Sequence, residues 1–485
     1  MNKYVSTRNS RIEVSASKAV LLGQAEDGGL FVPADLASFK RDYHEITSLD
    51  FKGMAKYIWD MFFDDYGSDV IDELVERSYT GKFSSDLITP LAKVGDSYVL
   101  ELYHGPTSAF KDVALQALPN LLTKARDMNG ETDEIMILTA TSGDTGSAAM
   151  SGFSNVPGTS IVVFYPDGGT SETQRLQMVT DTGSNTTACA IRGNFDDAQA
   201  GVKKIFREIP KPSKGVSLSS ANSINIGRLV PQIVYYFSAY RQLLDMRSIS
   251  DGDKVDFIVP TGNFGDIMAG YLARCIGLPI RRLVCASNKN DVLTEFINTG
   301  HYDRKRDFYK TTSPSMDILV SSNLERLLYY ICGEEHTVSY MKQLEEAGEY
   351  QITADELAEI KSVFTGLCAN DGEGAEVIKK IFDAEHYLMD THTSIAWSCM
   401  EKYVQDDVPK VVLSTASPYK FCASVLSALG LEVSDSDRKK MEACRKHTGA
   451  PIPAGLAGIF DKRIKHTDII DSSDMKDYVI GKAKR

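Results

Sequence analysis

The sequence of 485 residues lacks the features of secreted, nucleic-acid-binding and membrane-spanning proteins. Its eight cysteines form no CxxC pair, and a chain this long buries enough surface to be stable without disulfides. A net charge of −13, with no basic block interleaved with aromatic residues, disfavours nucleic acid as a partner. The first residues contain no apolar secretory signal, and no apolar run approaches the ~18 residues that span a bilayer. We therefore expect a soluble, cytoplasmic protein with no nucleic-acid or membrane partner.

Several enzyme signatures are also absent. The chain has neither GxxxxGK[ST] nor GxGxxG after a predicted strand, so a nucleotide-dependent enzyme is a poor interpretation. The eight histidines form no HExxH motif, and the histidines and cysteines show no paired ligand spacing. We therefore predict no metal site.

Short apolar strands alternate with longer helical patterns along the chain, which is typical of parallel α/β architecture. The strands are apolar throughout, and strands of this kind are buried on both faces of a sheet. The sequence thus predicts an α/β fold. The strand candidates are residues 135–138, 160–165, 257–260, 282–286 and 410–414.

The chain is expected to divide into three regions. Residues 1–91 hold mixed elements, including an amphipathic helix over residues 51–63, and we interpret them as a separate amino-terminal cap. The segment Ile209-Pro210-Lys211-Pro212-Ser213-Lys214 breaks a helix and is expected to cross between two lobes. The predicted lobes are residues 92–215, the smaller, and residues 216–485, the larger.

One lysine stands in an unusual local sequence. Lys111 follows His104-Gly105-Pro106-Thr107-Ser108-Ala109-Phe110, a small, turn-rich and partly apolar segment. An ammonium with the ordinary pKa near 10.4 is almost fully protonated at neutral pH, so a lysine that attacks a carbonyl must lose solvent or lie beside another cation. The setting of Lys111 fits a Schiff-base nucleophile, although most lysines are solvated surface charges.

Two glycine-bearing turns follow predicted strands and open helices. One is Thr261-Gly262-Asn263-Phe264-Gly265-Asp266, before a helix over residues 267–275, and the other is Thr141-Ser142-Gly143-Asp144-Thr145-Gly146. Glycines let the backbone approach an anion, and the first N–H groups of the helix point toward it. Either turn alone could simply permit a sharp bend. Together with Lys111, the two turns predict two anion sites.

A lysine amine and a separate phosphate cradle are what pyridoxal 5′-phosphate requires, one for its aldehyde and the other for its phosphate. Six segments extend this pattern over nearly the whole chain: 26–33 (EDGGLFVP), 104–116 (HGPTSAFKDVALQ), 141–148 (TSGDTGSA), 260–267 (PTGNFGDI), 313–326 (SPSMDILVSSNLER) and 414–421 (STASPYKF). In these segments the chain resembles the threonine synthases, pyridoxal-phosphate enzymes related to the tryptophan synthase β subunit. The resemblance implies the tryptophan synthase β-like fold (fold type II), with two parallel-sheet lobes and an N-terminal threonine synthase domain as the cap.

The resemblance also implies roles around the cofactor. Lys111 would hold the aldehyde as a Schiff base, be released by the substrate amine and then move protons as a free amine. Backbone N–H groups of Gly262-Asn263-Phe264-Gly265 would bind the cofactor phosphate. Thr415 would lie near the pyridine nitrogen, where a neutral hydroxyl cannot hold the ring strongly protonated. The alternative for Thr415 is a hydroxyl that caps a helix beginning near Pro418.

The implied substrate is O-phospho-L-homoserine, whose phosphate needs a second anion site. Arg228 can form a two-pronged bond to phosphate or carboxylate, although a surface ion pair is equally consistent with the sequence. The implied reaction removes the α-proton and then a β-proton, eliminates phosphate from the γ-carbon and adds water at the β-carbon, giving L-threonine. The substrate-binding candidates are Thr141, Ser142, Asp144, Thr145, Lys420, Asn225 and Arg228.

The sequence departs from the family pattern at three places. The usual histidine before proline in the last segment is Ser417, the tryptophan often found after Ser-Ile-Asn is Ile226, and the usual Asp-Pro-His is Asp390-Thr391-His392. The first change removes a histidine from that corner of the site. His104 or His392 could serve instead, although hydrogen-bonded structural histidines are the more common case.

Two other functions would keep the lysine and the phosphate cradle. A hydroxy-amino-acid dehydratase or a β-replacing synthase has no need of a second phosphate site. A catalytically silent phosphate-binding relative is disfavoured by the intact lysine and both anion turns.

The sequence shows no obvious regulatory domain, which favours a monomer over an allosterically activated dimer.

Overall fold

The computed structural model describes residues 1–484, and these residues form four β-sheets. Two sheets are large and mostly parallel, and two are small and antiparallel. The strands are β1 (Tyr4–Ser6), β2 (Asn9–Val14), β3 (Phe31–Pro33), β4 (Leu91–Val94), β5 (Ser97–Glu101), β6 (Glu134–Ala140), β7 (Thr159–Pro166), β8 (Thr186–Arg192), β9 (Val216–Ser219), β10 (Val255–Pro260), β11 (Ile280–Ser287), β12 (His301–Asp303), β13 (Glu349–Gln351), β14 (Phe364–Cys368), β15 (Lys410–Ser414) and β16 (Ile469–Asp471).

Helices connect most of the strands. In the described part of the chain, none of them is both long and apolar enough to cross a membrane. The helices are α1 (Ala16–Leu22), α2 (Tyr43–Thr47), α3 (Phe51–Phe62), α4 (Ser68–Tyr79), α5 (Lys111–Met128), α6 (Asp144–Phe153), α7 (Glu172–Val179), α8 (Phe195–Glu208), α9 (Ile226–Leu229), α10 (Ile233–Asp245), α11 (Gly265–Ile276), α12 (Val292–Thr299), α13 (Leu324–Glu346, kinked at Gly333), α14 (Ala354–Val363), α15 (Asp371–Glu385), α16 (Thr391–Lys402), α17 (Cys422–Ala428), α18 (Asp437–Thr448) and α19 (Met475–Ala483).

The larger lobe is built on a six-stranded sheet with the order β14-β11-β10-β15-β5-β4. Every pairing is parallel except that of β4 with β5. On β10, Phe257 and Val259 belong to one hydrophobic core, whereas Ile258 belongs to the core on the other face. The three strands predicted in this region therefore form, and both of their faces are buried, as their apolar sequences predicted.

The smaller lobe is built on a parallel five-stranded sheet with the order β16-β8-β7-β6-β9. On β6, Ile135 and Ile137 join the central core, and Met136 and Leu138 join a second core that includes Met475 of α19. The remaining two predicted strands lie here as β6 and β7. The predicted parallel-sheet α/β fold is confirmed.

The amino-terminal region forms the antiparallel sheet β2-β1-β3 and helices α1 to α4. Helix α3 covers the predicted amphipathic helix and buries Met54, Ile58 and Trp59. These side chains belong to the same hydrophobic core as residues of both lobes. The cap therefore packs into the rest of the chain instead of standing apart from it.

Strand pairing divides the chain differently from the predicted regions 1–91, 92–215 and 216–485. Strand β5, within 92–215, pairs with β15 of the larger lobe. Strands β9 and β16, within 216–485, pair with β6 and β8 of the smaller lobe. Pro210 and Pro212 thus connect α8 to β9 inside one lobe and do not cross between lobes. Prolines end a helix, but hydrogen bonding between distant segments decides which sheet the next strand joins.

Helices α5 and α6 pack very closely at Gly152. A Cβ atom at this position would lie 2.0 Å from the carbonyl oxygen of Leu115. Helix α5 begins at Lys111 and α6 begins at Asp144. The close packing therefore fixes the two helix starts relative to each other.

We expect Gly152→Ala to lower the free energy of unfolding by about 1–3 kcal/mol, because the added methyl group forces α6 away from α5. The matched control is Gly481→Ala, since Gly481 also lies in a helix but an added Cβ meets no atom within 4 Å. Helix propensity alone slightly favours alanine at both positions. Urea unfolding measures the difference. Equal free energies for the two variants would contradict the close packing.

Candidate active site

Three loops lie side by side at one edge of the six-stranded sheet. Strands β10, β15 and β5 are neighbours and run parallel, so the loops that follow them leave from the same edge. These loops comprise residues 261–264, 415–417 and 102–110. They contain, or lead directly to, the residues predicted to bind the cofactor.

Backbone hydrogen bonds fix the loop before Lys111 to the loop after β15. The N–H of Phe110 donates to the carbonyl of Thr415 (2.8 Å), and the N–H of Ser417 donates to the carbonyl of Ser108 (3.1 Å). Lys111 is the first residue of α5. The position of Lys111 therefore depends on loop 415–417, which is distant from it in sequence.

Asp112 holds the turn that precedes α5. Its carboxylate accepts hydrogen bonds from the N–H (2.9 Å) and the hydroxyl (2.6 Å) of Thr107. A Cβ atom at Gly105 would lie 2.4 Å from the Cβ atom of Asp112, so this close turn requires glycine. These contacts explain why glycine stands at position 105 and aspartate at position 112, near the predicted nucleophile.

The amine of Lys111 has the environment of a nucleophile. Burial, together with the charges of Arg228 and Lys420, lowers its pKa to about 8, against the opposing effects of Asp144 and Asp112. Roughly one amine in ten is then unprotonated at pH 7. Among the described residues, this amine donates no hydrogen bond and forms no ion pair. It is therefore free to react.

The loop from Gly262 to Gly265 presents its backbone N–H groups. The carbonyl of Gly262 accepts from the hydroxyl of Ser321 (2.8 Å), and that of Asn263 accepts from the side-chain amide of Asn323 (2.9 Å). Within residues 1–484, no backbone N–H from 262 to 267 donates to a protein acceptor. The carbonyls are thus held by the protein, and the N–H groups at the start of α11 are available to an anion.

Thr415 keeps its hydroxyl available. The carbonyl of Thr415 is bound by Phe110, but its hydroxyl has no hydrogen-bond partner among the described residues. The alternative role, capping the helical turn Pro418–Phe421, belongs to Ser417, whose hydroxyl accepts from the N–H of Tyr419 (3.3 Å). The sequence alone left these two roles of Thr415 open, and capping is now excluded.

The turn after β6 is shaped by Thr141. Its hydroxyl oxygen accepts hydrogen bonds from the N–H groups of Gly143 and Gly146, both at 2.9 Å. Ser142 is exposed and Thr145 is half-buried, and neither hydroxyl is bonded within the described chain. Of these three candidates, Thr141 supports the turn, and Ser142 and Thr145 remain available to a ligand.

Asp144 and Lys420 form a buried ion pair between the two lobes. The Nζ atom of Lys420 lies 2.7 Å from Oδ1 of Asp144 and donates to the carbonyl of Thr107 (2.9 Å). The side-chain amide of Gln174 donates to the same carboxylate oxygen (2.8 Å). Burial opposes the ionisation of Asp144, but Lys420 and Lys111 bring its pKa below the usual range. Two predicted substrate ligands are thus partners of each other.

Asn225 and Arg228 are both buried but differ in their partners. The amide of Asn225 donates to the carbonyl of Val20 (2.9 Å) and accepts from the N–H of Gly227 (2.8 Å), so it caps α9 and supports the fold. Arg228 donates to the carbonyl of Ala221 (2.6 Å), and its Nε atom has no partner among the described residues. No described acid pairs with Arg228, so the surface ion pair that the sequence left open does not occur. Burial lowers the pKa of Arg228 to about 10.

Both histidines considered from the sequence are held in the fold. Nε2 of His104 lies 2.8 Å from a carboxylate oxygen of Glu101. Nδ1 of His392 lies 2.6 Å from a carboxylate oxygen of Asp390, and its Nε2 accepts from the N–H of Ser315 (3.2 Å). These contacts support a structural role for each.

Sequence reasoning missed the residues that support the loops. Ser321 and Asn323 lie inside the segment 313–326, but nothing in their spacing indicates that they bind the carbonyls of another loop. Gln174 forms a capping box with Ser171, which the SETQ pattern could have revealed, yet its contact with Asp144 could not be read from the pattern. These contacts exist only between segments that are distant in sequence.

Comparison with known proteins assigns the family. Residues 3–79 match the family described as threonine synthase N terminus, residues 88–358 match pyridoxal-phosphate dependent enzyme, and residues 393–479 match threonine synthase, C-terminal. The chain is 37% identical over 461 residues to the threonine synthase of Saccharomyces cerevisiae, with 88% of this chain and 89% of that one covered. The chain belongs to the threonine synthase family.

Two further relatives agree with this assignment. Human threonine synthase-like 1 is 35% identical over 477 residues, which cover 92% of this chain and 64% of the human protein. The crystal structure of pyridoxal-phosphate-bound threonine synthase from Brucella melitensis matches with a TM-score of 0.90 and 34% identity, covering 100% of both chains. The predicted family, fold class, pyridoxal-phosphate dependence and threonine synthase function are confirmed.

A stability prediction follows from Arg228, which has no acidic partner among the described residues. We expect Arg228→Met to change the free energy of unfolding by no more than about 1 kcal/mol, since a single hydrogen bond is lost and a buried charge is removed. The matched control is Arg326→Met, because Arg326 is also buried but donates to the carbonyls of Phe31 (3.1 Å) and Ile224 (2.5 Å) and to the side chain of Asn323. That variant should lose about 3 kcal/mol. Equal losses in guanidinium unfolding would show that Arg228 is a structural residue.

Proposed function

We propose that this chain binds O-phospho-L-homoserine and converts it, with water, to L-threonine and phosphate, the last step of threonine biosynthesis. The observation that carries the proposal is the junction of three loops at one edge of a sheet, which holds a lysine amine with a pKa of about 8 and a helix start whose N–H groups have no acceptor within the described chain. We also retain the predictions of fold type II, a cytoplasmic location and a monomer.

The residues at the junction fit pyridoxal phosphate. Lys111 would bind its aldehyde, the N–H groups of Gly262 to Gly265 would bind its phosphate, and the free hydroxyl of Thr415 would face the ring nitrogen. When bound, the cofactor supplies an electron sink for the charge that develops beside the substrate amine. The protein then has to orient the substrate, exclude water and move protons.

Lys111 is suited to moving protons once its amine is free. A group whose pKa lies near the working pH can both accept and donate a proton, and the lowered pKa of Lys111 meets this condition. The reaction needs the removal of an α-proton and a β-proton, departure of phosphate from the γ-carbon and addition of water at the β-carbon. We assign Lys111 to at least one of these proton transfers.

The substrate brings two anionic groups, a phosphate and a carboxylate. Arg228 is a buried cation with no acidic partner among the described residues, so it can bind one of them without breaking an existing ion pair. The hydroxyls of Ser142 and Thr145 are unbonded in the described chain and can add neutral donors. A dehydratase acting on serine or threonine binds a substrate carboxylate but no substrate phosphate, so it has no use for a second phosphate site.

Removing the Lys111 amine should abolish turnover. We expect Lys111→Ala to lower phosphate release from O-phospho-L-homoserine by at least about 10⁴-fold, because both the covalent anchor and the proton carrier are lost. Lys124→Ala is the matched control, since Lys124 lies on the same helix and has no ion pair within residues 1–484. Comparable activity in the two variants would end the proposal. Faster turnover of serine or threonine than of phosphohomoserine would instead indicate a dehydratase.

The phosphate loop is tested by a glycine substitution. A Cβ atom at Gly262 would lie 2.4 Å from the carbonyl oxygen of Ser315, whereas at Gly265 the nearest atom is 3.6 Å away. We expect Gly262→Ala to displace the N–H groups and weaken the binding of pyridoxal phosphate by about tenfold or more, with Gly265→Ala as the tolerated control. Fluorescence titration compares pyridoxal phosphate with pyridoxal, which lacks the phosphate. Loss of affinity for both ligands alike would mean that the loop does not bind the phosphate.

A further inference from the structure

The ion pair between Asp144 and Lys420 joins the two lobes beside Lys111. Asp144 begins α6, after a strand of the five-stranded sheet, and Lys420 lies in the turn Pro418–Phe421, after a strand of the six-stranded sheet. The Lys420 side chain is 0% exposed and that of Asp144 is 6% exposed. Burying an unpaired charge costs free energy, so each residue of this pair stabilises the other.

The ammonium of Lys420 is committed to the protein. It contacts the carboxylate of Asp144 at 2.7 Å and the carbonyl of Thr107 at 2.9 Å. It can meet a substrate phosphate only if it leaves Asp144. A role for Lys420 as a direct substrate ligand, which the sequence suggested, therefore conflicts with this existing pairing.

Lys111 is the third charge of this cluster. Besides burial, Asp144 has the largest effect on the pKa of Lys111 and raises it, whereas Arg228 and Lys420 lower it. The charges that face Lys111 come from four elements: Asp112 on α5, Asp144 on α6, Arg228 on α9 and Lys420 after β15. Of these four groups, Asp144 and Lys420 are bound to each other. Lys420 thus already neutralises Asp144, the acidic residue with the largest effect on the pKa of Lys111.

We propose that Lys420 is a positioning residue that acts on Lys111 through Asp144, by neutralising a carboxylate that would otherwise hold Lys111 as a permanent ammonium. Without Lys420, Asp144 is a buried carboxylate, and Lys111 is the other cation whose charge acts on it. With Lys420, the Lys111 amine is released to react. The proposal rests on the assigned role of Lys111 as the nucleophile.

The test measures the reactivity of Lys111 itself. The full-length chain, freed of cofactor, is treated with an amine-acylating reagent over a range of pH, and labelling of the Lys111 peptide is followed by mass spectrometry. Three variants are compared with the wild type: Asp144→Asn, Lys420→Met and the double variant. Lys124, on the same helix, serves as the internal control for reagent activity.

Opposite changes are expected from the two single variants. At pH 7, Asp144→Asn should label Lys111 severalfold faster, because the carboxylate that favours the ammonium is gone. Lys420→Met should label it about tenfold more slowly, because Asp144 is left unpaired. The double variant removes both charges and should lie within about threefold of the wild type. It should also fold, since replacing both members of a buried pair by neutral side chains leaves no unpaired charge.

Two outcomes would overturn the proposal. If both single variants lower the melting temperature but leave the labelling profile of Lys111 unchanged, the pair is only a structural link between lobes. If Lys420→Met raises the KM for phosphohomoserine with no change in labelling, Lys420 is a substrate ligand after all. Should Lys420→Met fail to fold, Asp144→Asn and the double variant still test the proposal: both lack the carboxylate, so neither should label Lys111 more than about threefold more slowly than the wild type does. Labelling does not depend on turnover, so it can fail or succeed independently of the proposed activity.

Discussion

The position of Lys111, the proposed nucleophile, depends on backbone hydrogen bonds between two loops that are far apart in sequence. The loop before α5 and the loop after β15 exchange hydrogen bonds at Phe110 and Ser417, and Ala109 and Ala416 form an antiparallel bridge between them. Both loops follow neighbouring strands of one parallel sheet. The sheet and its loops therefore fix the position of Lys111, and helix α5 begins at that position.

The electrostatics of the site follow from charges that are balanced within the protein. The carboxylate of Asp144 acts on both Lys111 and Lys420, and the charge of Arg228, which pairs with no acid in the described part of the chain, acts on Lys111 as well. This arrangement disfavours the ammonium form of Lys111 and leaves one buried cation for an anionic ligand. One set of buried charges thereby fits both proposed roles, the nucleophile and the anion site, without a large net charge beside either.

Part of the fold could be predicted from the sequence because its signals are local. Continuous apolar runs gave the strands β6, β7, β10, β11 and β15, and the glycines of the turn from Gly262 to Gly265 gave the start of α11. The lobe boundaries could not be predicted in this way. Strand β9 joins the smaller sheet and β5 the larger one because of hydrogen bonds to distant strands, and local composition carries no record of those partners.

The sequence by itself determined the family and identified Lys111 and the two glycine turns as candidates for the nucleophile and the anion sites, because these depend on short segments with strict chemical requirements. Only the tertiary structure decided how the candidate residues are used. It makes Asn225 a helix cap, Thr141 the support of its own turn and Lys420 the partner of Asp144, and it gives Arg228 no acidic partner within residues 1–484. The reason is physical: a side chain's role depends on which charges and hydrogen-bonding groups the fold places within a few ångströms of it, and these come from remote parts of the chain.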